Sequence, residues 1–356
     1  MQAIVERARA PVALGLRAQV LAEGQRLALR AALADRPLAL CFGAGVDSTA
    51  MMVALHDAGL RPSVITFADT GGERARTYDH LERMQRAVRT WDWPRIEICR
   101  KRMLPTTPYK DLYGNCWENE TLPSIAFGLS SCSIKFKGHV QDQHLMGVSR
   151  GPNRHAPHPA WVDAQERGER FTKLIGFDCS KADRRRASKA EARPACEFDF
   201  AYPLQLIGWT REDCVHAITR ALGKDFVPVK SACFFCSATK QWELFDMAAH
   251  EPELLERAIA LERRALTGRH SRFSAVDFGA SWDDLVRNAD RFPSSNTTVG
   301  LGRSFAWAQW ALRNGVVDQD FKVQRQKRHR FIEIATAMQA GTASASRCDP
   351  DCLSTC

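Results

Sequence analysis

The run Leu38-Ala-Leu-Cys-Phe-Gly-Ala-Gly-Val-Asp-Ser-Thr-Ala-Met-Met52 constrains this chain more than any other stretch. An apolar strand pattern from Pro37 to Phe42 passes through Gly43-Ala44-Gly45-Val46-Asp47-Ser48-Thr49 into a helical run from Ala50 to His56. Glycines let the backbone turn tightly. The first amides of the helix then lack an intrahelical partner and point at whatever sits above the turn. Free N–H groups and the positive end of the helix dipole coincide there, which makes an anion site. Ser48 and Thr49 add hydroxyl donors at the same place. A tight strand-to-helix turn with a capping Ser accounts for the glycines equally well. Neither Gly-x-x-x-x-Gly-Lys-Ser/Thr nor Gly-x-Gly-x-x-Gly occurs here, so neither a Walker-type nor a dinucleotide loop is supported.

A second apolar, β-branched run, Pro62-Ser-Val-Ile-Thr-Phe-Ala68, ends in Asp69-Thr70-Gly71-Gly72. A helical pattern follows with Tyr78, Leu81, Met84 and Val88 on one face, and Arg95-Ile-Glu-Ile-Cys99 reads as a third strand. Phe171-Thr-Lys-Leu-Ile-Gly-Phe177 reads as another, ending at Asp178. Strands alternating with helices imply right-handed crossovers and a parallel sheet. Ligands collect at the carboxyl ends of such strands, so the loops Gly43–Thr49 and Asp69–Gly72 are expected to be neighbours. Thr210 and Asp213 have capping-box spacing and open a helix over 210–222, and 242–264 reads as a further helix. The expected fold is α/β, a doubly wound, mostly parallel sheet with a helical, cysteine-bearing C-terminal part. Its expected divisions are an N-terminal helix in 1–36, an α/β domain in 37–240, a helical basic region in 241–340 and a flexible cysteine-containing tail in 341–356.

No stretch approaches the roughly 18 apolar residues of a membrane span, and Met1 to Ala10 is broken by charges, so a cytoplasmic protein with no membrane partner is expected. In that setting the 12 cysteines point to thiols and metal rather than to a disulfide framework. Cys233-Phe-Phe-Cys236 lets two thiolates grip one metal. Cys132 sits in a Ser-Cys-Ser-Ile-Lys turn, with Cys116 about four turns earlier if the stretch is helical. The four make a candidate site for an iron–sulfur cluster or zinc, with Cys214 or a tail cysteine as another source of the fourth thiolate. Cys41, Cys99, Cys179, Cys196 and Cys214 otherwise read as small buried hydrophobes. Cys348, Cys352 and Cys356 follow a Gly341–Ser346 linker and fit either a mobile thiol or a disordered end.

A net charge of +9 favours polyanionic partners. The charge gathers at Arg184–Arg186 with Lys189 and at Lys322–Arg330, where a solvated helix face is the plain alternative. Trp307 and Trp310 suit core packing better than base stacking. His155 and His158 lie in the Pro-rich loop Arg150–Pro159, where they read as ligands or as solvated side chains.

Several of these motifs, in order, resemble one family. Phe42-Gly-Ala-Gly-Val-Asp-Ser-Thr resembles the Ser-Gly-Gly-x-Asp-Ser pyrophosphate loop of the adenine nucleotide α-hydrolase (PP-loop ATP pyrophosphatase) superfamily. Phe67-Ala-Asp-Thr-Gly-Gly-Glu with Thr77-Tyr78 resembles the second-strand signature of its phosphoadenosine phosphosulfate (PAPS) reductase branch. Leu122–Lys137 is similar to that branch's Cys-x-x-Lys segment, and Lys230–Cys236 and Gly300–Trp307 to motifs of bacterial and phage members. The resemblance spans roughly residues 37 to 310. It implies a nucleotide whose phosphates meet Phe42, Gly43, Gly45, Val46, Asp47, Ser48 and Thr49, with adenine or ribose reached from Asp69, Thr70 and Gly71. It further implies Mg²⁺, attack at the α-phosphate, and catalytic roles for Asp47, Ser48, Lys135 and Arg303, with Lys137 as a further cation. A [4Fe-4S] cluster on Cys116, Cys132, Cys233 and Cys236 is implied, with zinc as the alternative.

The departures narrow this. Phe42 opens the loop where the family has Ser, and the reductases' Glu-Cys-Gly-Leu-His tail is absent. Asp47-Ser48 is nearer the ATP-pyrophosphatase version, which favours ATP over PAPS. The expectation is an enzyme that activates a substrate with ATP, for sulfur transfer to a nucleic acid or small molecule, with a sulfur donor or thiol reductant protein as partner. The alternatives are a PAPS or adenylyl-sulfate reductase using a tail thiol, and a non-catalytic, zinc-stabilised nucleic-acid-binding module.

Overall fold

The structure, a computed structural model, describes residues 16–191, 197–268, 286, 300–303 and 305–341. The tail cysteines and Cys196 lie outside the described residues. In chain order the elements begin α1 (Glu23–Leu33), β1 (Leu38–Phe42), α2 (Val46–Asp57), β2 (Val64–Asp69), α3 (Ala75–Thr90) and β3 (Ile96–Arg100). Then come α4 (Leu112–Glu118), a 3₁₀ turn (Ser124–Phe127), α5 (Ser131–Ser133), a π turn (Ile134–Gly138), α6 (His139–Met146) and α7 (Pro159–Glu166). β4 (Phe171–Ile175), α8 (Lys181–Glu191), β5 (Phe198–Ala201), α9 (Pro203–Leu206) and α10 (Arg211–Ala221) complete the sheet layer. The C-terminal helices are α11 (Gln241–His250), α12 (Pro252–Thr267), α13 (Trp307–Arg313) and α14 (Arg328–Gln339).

The five strands are all parallel, in the order β3-β2-β1-β4-β5. The chain steps outward from β1 to β3, then crosses back to lay β4 against the other side of β1. That reversal is a topological switch point, where neighbouring crossovers leave in opposite directions and open a crevice at the strand ends. β2, Val-Ile-Thr-Phe-Ala-Asp, is buried along its whole length, as a central strand covered on both faces must be. β5 carries Asp199 in mid-strand, on the outer edge of the sheet. Its carboxylate pairs with Arg36 and Arg170, which explains why an apolar-run criterion passes over it.

Among the described residues two large cores share the work with a smaller one, where Leu145 and Trp161 meet Phe171 and Phe198. One large core fills the sheet between α1, α2, α3 and α10. The other joins α4, the 3₁₀ turn and the Cys233–Phe235 loop to α11–α14, with Trp307 and Trp310 inside it. Thr210 caps α10 through a capping box, as its spacing predicts. Two expectations are corrected. The segment 242–264 is two helices, because Pro252 lacks the N–H that would continue α11 and instead starts α12. Cys116 and Cys132 do not share a helix: α4 stops at Glu118, and Glu120 takes a left-handed φ of 46° before the chain turns again. Among the described residues, no helix is long and apolar enough to cross a membrane.

Candidate functional site

The anion loop sits at the switch point. Phe42 ends β1 with its ring buried against Phe67, so it belongs to the strand. Counted back from Asp47-Ser48, the six-residue pattern begins at Gly43, and Gly43 is therefore the position without the family's hydroxyl. Ala44 takes φ 53°, and Gly45 caps α2. A side chain at Gly45 would come within 2.8 Å of Ser231 Oγ. Ser48 Oγ accepts from the amides of Gly43 (3.2 Å) and Gly45 (3.3 Å) and donates to Gly45 O (3.1 Å). Thr49 Oγ1 donates to Gly45 O at 2.8 Å and meets His80 Nε2 at 2.9 Å in the buried interior. Both hydroxyls thus hold the loop in shape. The amides of Val46, Asp47 and Ser48 have no acceptor among the described residues.

Gly176, just past β4, packs on this turn: a Cβ there would stand 2.9 Å from Ser48 N and 3.0 Å from Asp47 C. Beyond it lie Asp178 and Asp183, and one oxygen of each lies within 4.8 Å of an oxygen of Asp47 and of the other. Arg211 Nη1 donates to Asp47 Oδ2 at 2.5 Å, while Asp47 Oδ1 is buried with no partner among the described residues. Burial raises the Asp47 pKa, opposed by Arg211, and burial also raises that of Asp183, opposed by Arg186. These groups, with Lys230 and Trp242, line a cleft of about 1020 Å³. Asp178 and the Arg184–Arg186 run are visible in the sequence. Asp183 belongs to the Lys181–Arg186 run, which the resemblance places near the phosphates or the substrate, whereas Gly176 and Arg211 carry no motif that singles them out.

The second loop is closed by its own side chains. Asp69 ends β2 and accepts from Tyr78 Oη (2.7 Å), Arg100 Nε (2.8 Å) and the Gly71 amide (2.8 Å). Thr70 Oγ1 meets Glu73 Oε1 and Cys233 Sγ, each at 3.1 Å. The Cys-x-x-Cys loop docks here: the Phe234 amide donates to Gly72 O at 2.8 Å, and a Cβ on Gly72 would strike Phe235 at 2.6 Å. Buried Arg74 ties the start of α3 to the C-terminal helices by pairing with Asp246 (2.8 Å) and Glu251.

Cys116, Cys132, Cys233 and Cys236 come together in the second core. Burial pushes the Cys233 and Cys236 thiols up, Glu73 adding to the effect at Cys233, and burial with Cys132 pushes Cys116 up to about 12. No three of these four sulfurs lie mutually within 4.8 Å. A tetrahedral zinc with bonds of about 2.3 Å holds its sulfurs about 3.8 Å apart, so the thiols as placed are too far apart for one zinc. Cys214 lies in the sheet core beside α2 and is not a source of the fourth thiolate.

The π turn carries Lys135 and Lys137 in different directions. Lys137 Nζ pairs with Glu73 at 3.0 Å. Burial lowers its pKa, but Glu73 and Cys233 outweigh this and hold it above the ordinary lysine range. Lys135 is exposed and borders a separate cavity of about 590 Å³ with Cys116 and Cys132. Arg303 is exposed at φ 65° and lines neither cavity. Its loop is fixed by the buried Glu262, which accepts from the amides of Leu301 (2.6 Å), Trp307 (2.9 Å) and Ala308 (2.8 Å).

No protein-family model matches the chain, and no curated protein matches it.

Proposed function

We propose that the chain binds an adenine nucleotide, ATP with Mg²⁺, at the β1/β4 switch point and uses it to activate an acceptor, as a member of the PAPS reductase-like branch of the adenine nucleotide α-hydrolases. One observation carries this reading. The unpartnered amides at the start of α2 and the Asp47/Asp178/Asp183 group open onto the same cleft. The amides and the helix dipole suit phosphate oxygens. The carboxylates are hard oxygen donors that suit Mg²⁺ shared with a phosphate, and Arg186 and Arg211 line the cleft to offset phosphate charge. An acceptor nucleophile attacks the α-phosphorus, the α–β P–O bond breaks, and pyrophosphate leaves with its charge held on the loop. A sulfur nucleophile from a donor protein then displaces AMP from the adenylated acceptor. The basic runs at Arg184–Arg186 and Lys322–Arg330 suit a nucleic acid acceptor.

The four cysteines would hold an iron–sulfur cluster, which supplies sulfur or electron transfer when bound. Lys137 places compensating positive charge beside Cys233, opposed by the Glu73 carboxylate. The test is anaerobic purification with iron, sulfide and zinc analysis, alongside calorimetric titration with ATP·Mg²⁺ and with PAPS. The expected result is an iron-containing protein that binds ATP more tightly than PAPS and releases pyrophosphate. Tighter PAPS binding, with activity lost on deleting 341–356, supports the reductase alternative. Zinc-loaded protein that binds neither nucleotide overturns the proposal.

A further inference from the structure

His158, whose place in a Pro-rich loop reads as a ligand or a solvated side chain, lies apart from the nucleotide cleft in a cluster of its own. Glu97 on β3, His144 on α6 and His158 at the N-cap of α7 converge from three elements. His144 Nε2 lies 2.6 Å from Glu97 Oε2, and His158 Nε2 lies 3.3 Å from Glu97 Oε1. One ligand atom from each residue falls within 4.8 Å of the other two. The side chains keep 18 to 30% exposure, enough to admit an ion and leave coordination positions open to solvent. His155 is not a member, because both its ring nitrogens face the backbone carbonyls of Asn153 and Gln143.

We infer that Glu97, His144 and His158 form a divalent metal site of the two-histidine, one-carboxylate type, with Zn²⁺ the best-suited ion. Two imidazole nitrogens and one carboxylate oxygen make a borderline donor set that takes zinc or another first-row divalent cation in preference to Mg²⁺. Three protein ligands leave at least one position for water or a small ligand. In the metal-free protein the Ala160 amide donates to His158 Nδ1 at 3.1 Å, so the neutral ring carries its proton on Nε2 and directs it at Glu97. Metal binding at Nε2 moves the ring proton to Nδ1 and gives up that cap hydrogen bond. Glu97 stands three residues, about 10 Å along the strand, before the end of β3, so this site is separate from the nucleotide edge. The inference does not depend on the proposed function.

The test is titration of the metal-stripped full-length protein with Co²⁺ alone. A nitrogen and oxygen site gives weak visible ligand-field bands without the thiolate-to-cobalt charge-transfer band that the cysteines would produce. The expected result is one equivalent with the nitrogen/oxygen spectrum, weakened at least 100-fold by His144→Ala with His158→Ala while any charge-transfer component is unchanged. A nitrogen/oxygen spectrum unchanged in the double variant, or absent in the wild type, overturns the site and leaves a hydrogen-bonded cluster only. Should the double variant not fold, X-ray absorption of wild-type protein carrying one equivalent of Zn²⁺ decides. A shell of nitrogen and oxygen at about 2.0–2.1 Å supports the site, and a shell of sulfur overturns it.

Discussion

The loop at the β1/β4 switch point and the thiol wall docked on the β2 loop are built in opposite ways. At the first, hydroxyls spend themselves on shaping the turn, while amides and the Asp47 Oδ1 atom have no partner among the described residues beside an open cleft. At the second, Asp69 and Thr70 are satisfied internally, and burial holds Cys116, Cys233 and Cys236 above the usual thiol range. Unpartnered polar groups at an accessible edge are a site prepared for a ligand. Buried, protonated thiols are poor nucleophiles at neutral pH, because the thiolate is the reactive form. Under the proposed function, binding and phosphorus chemistry belong to the cleft, and any sulfur chemistry depends on a bound group.

The sharpest way to break this division is Gly176→Val. Its side chain would press on the backbone of Asp47 and Ser48, which cannot swing aside like a flexible side chain. Nucleotide affinity is expected to fall at least ~1000-fold, about 4 kcal/mol, with iron content unchanged. Equal ATP affinity by calorimetry would show that this turn is not the phosphate site. Next comes Asp47→Asn, which removes charge from the acidic group and the partner of Arg211. It is expected to weaken Mg²⁺-dependent ATP binding by about 10- to 100-fold, or about 1.4 to 2.7 kcal/mol, while leaving Mg²⁺-free binding nearly unchanged. Cys233→Ser probes the other side. It is expected to abolish the visible absorption of anaerobically purified protein and to shift the ATP dissociation constant less than about threefold, ~0.6 kcal/mol. Coupled loss of both would merge the two regions into one site.

The same contrast explains what was legible in the sequence. The Gly43–Ser48 turn and strands β1 to β4 follow from local pattern, because buried parallel strands are apolar runs and a helix start needs glycine and a cap. The Asp47/Asp178/Asp183 group is non-local: its members meet only because β4 returns beside β1. β5 was hidden by the charged Asp199 on its edge, and the break between α11 and α12 by an apolar pattern that runs on through Pro252. The cysteines could be grouped by spacing, but not measured. Their separation, which disfavours a single zinc, depends on α4, the π turn and the Cys-x-x-Cys loop packing in one core.

A modest effect on stability lies behind the anion loop. Burial, with Arg83 adding to it, lowers the His80 pKa to about 4, while in an unfolded chain it returns to about 6.5. Above pH 6.5 neither state holds the proton and the contribution to stability is complete. As pH falls from 6.5 towards 4 the unfolded chain gains a proton that the native state refuses, so stability is lost. Between pH 7 and 5.5 this amounts to about 1 kcal/mol. Glu262 acts in the opposite sense over the same range. Burial raises it to about 7 against the pull of three backbone amides, so its contribution is present at low pH and is lost as pH rises from about 4.5 through 7. The two partly cancel in the wild type, so its pH dependence alone reveals neither. His80→Gln, which keeps a donor for Thr49 Oγ1 but does not titrate, isolates the first. Urea unfolding at both pH values should show the wild type losing about 1 kcal/mol more than the variant on acidification. Equal losses would mean that His80 is not held neutral behind the loop.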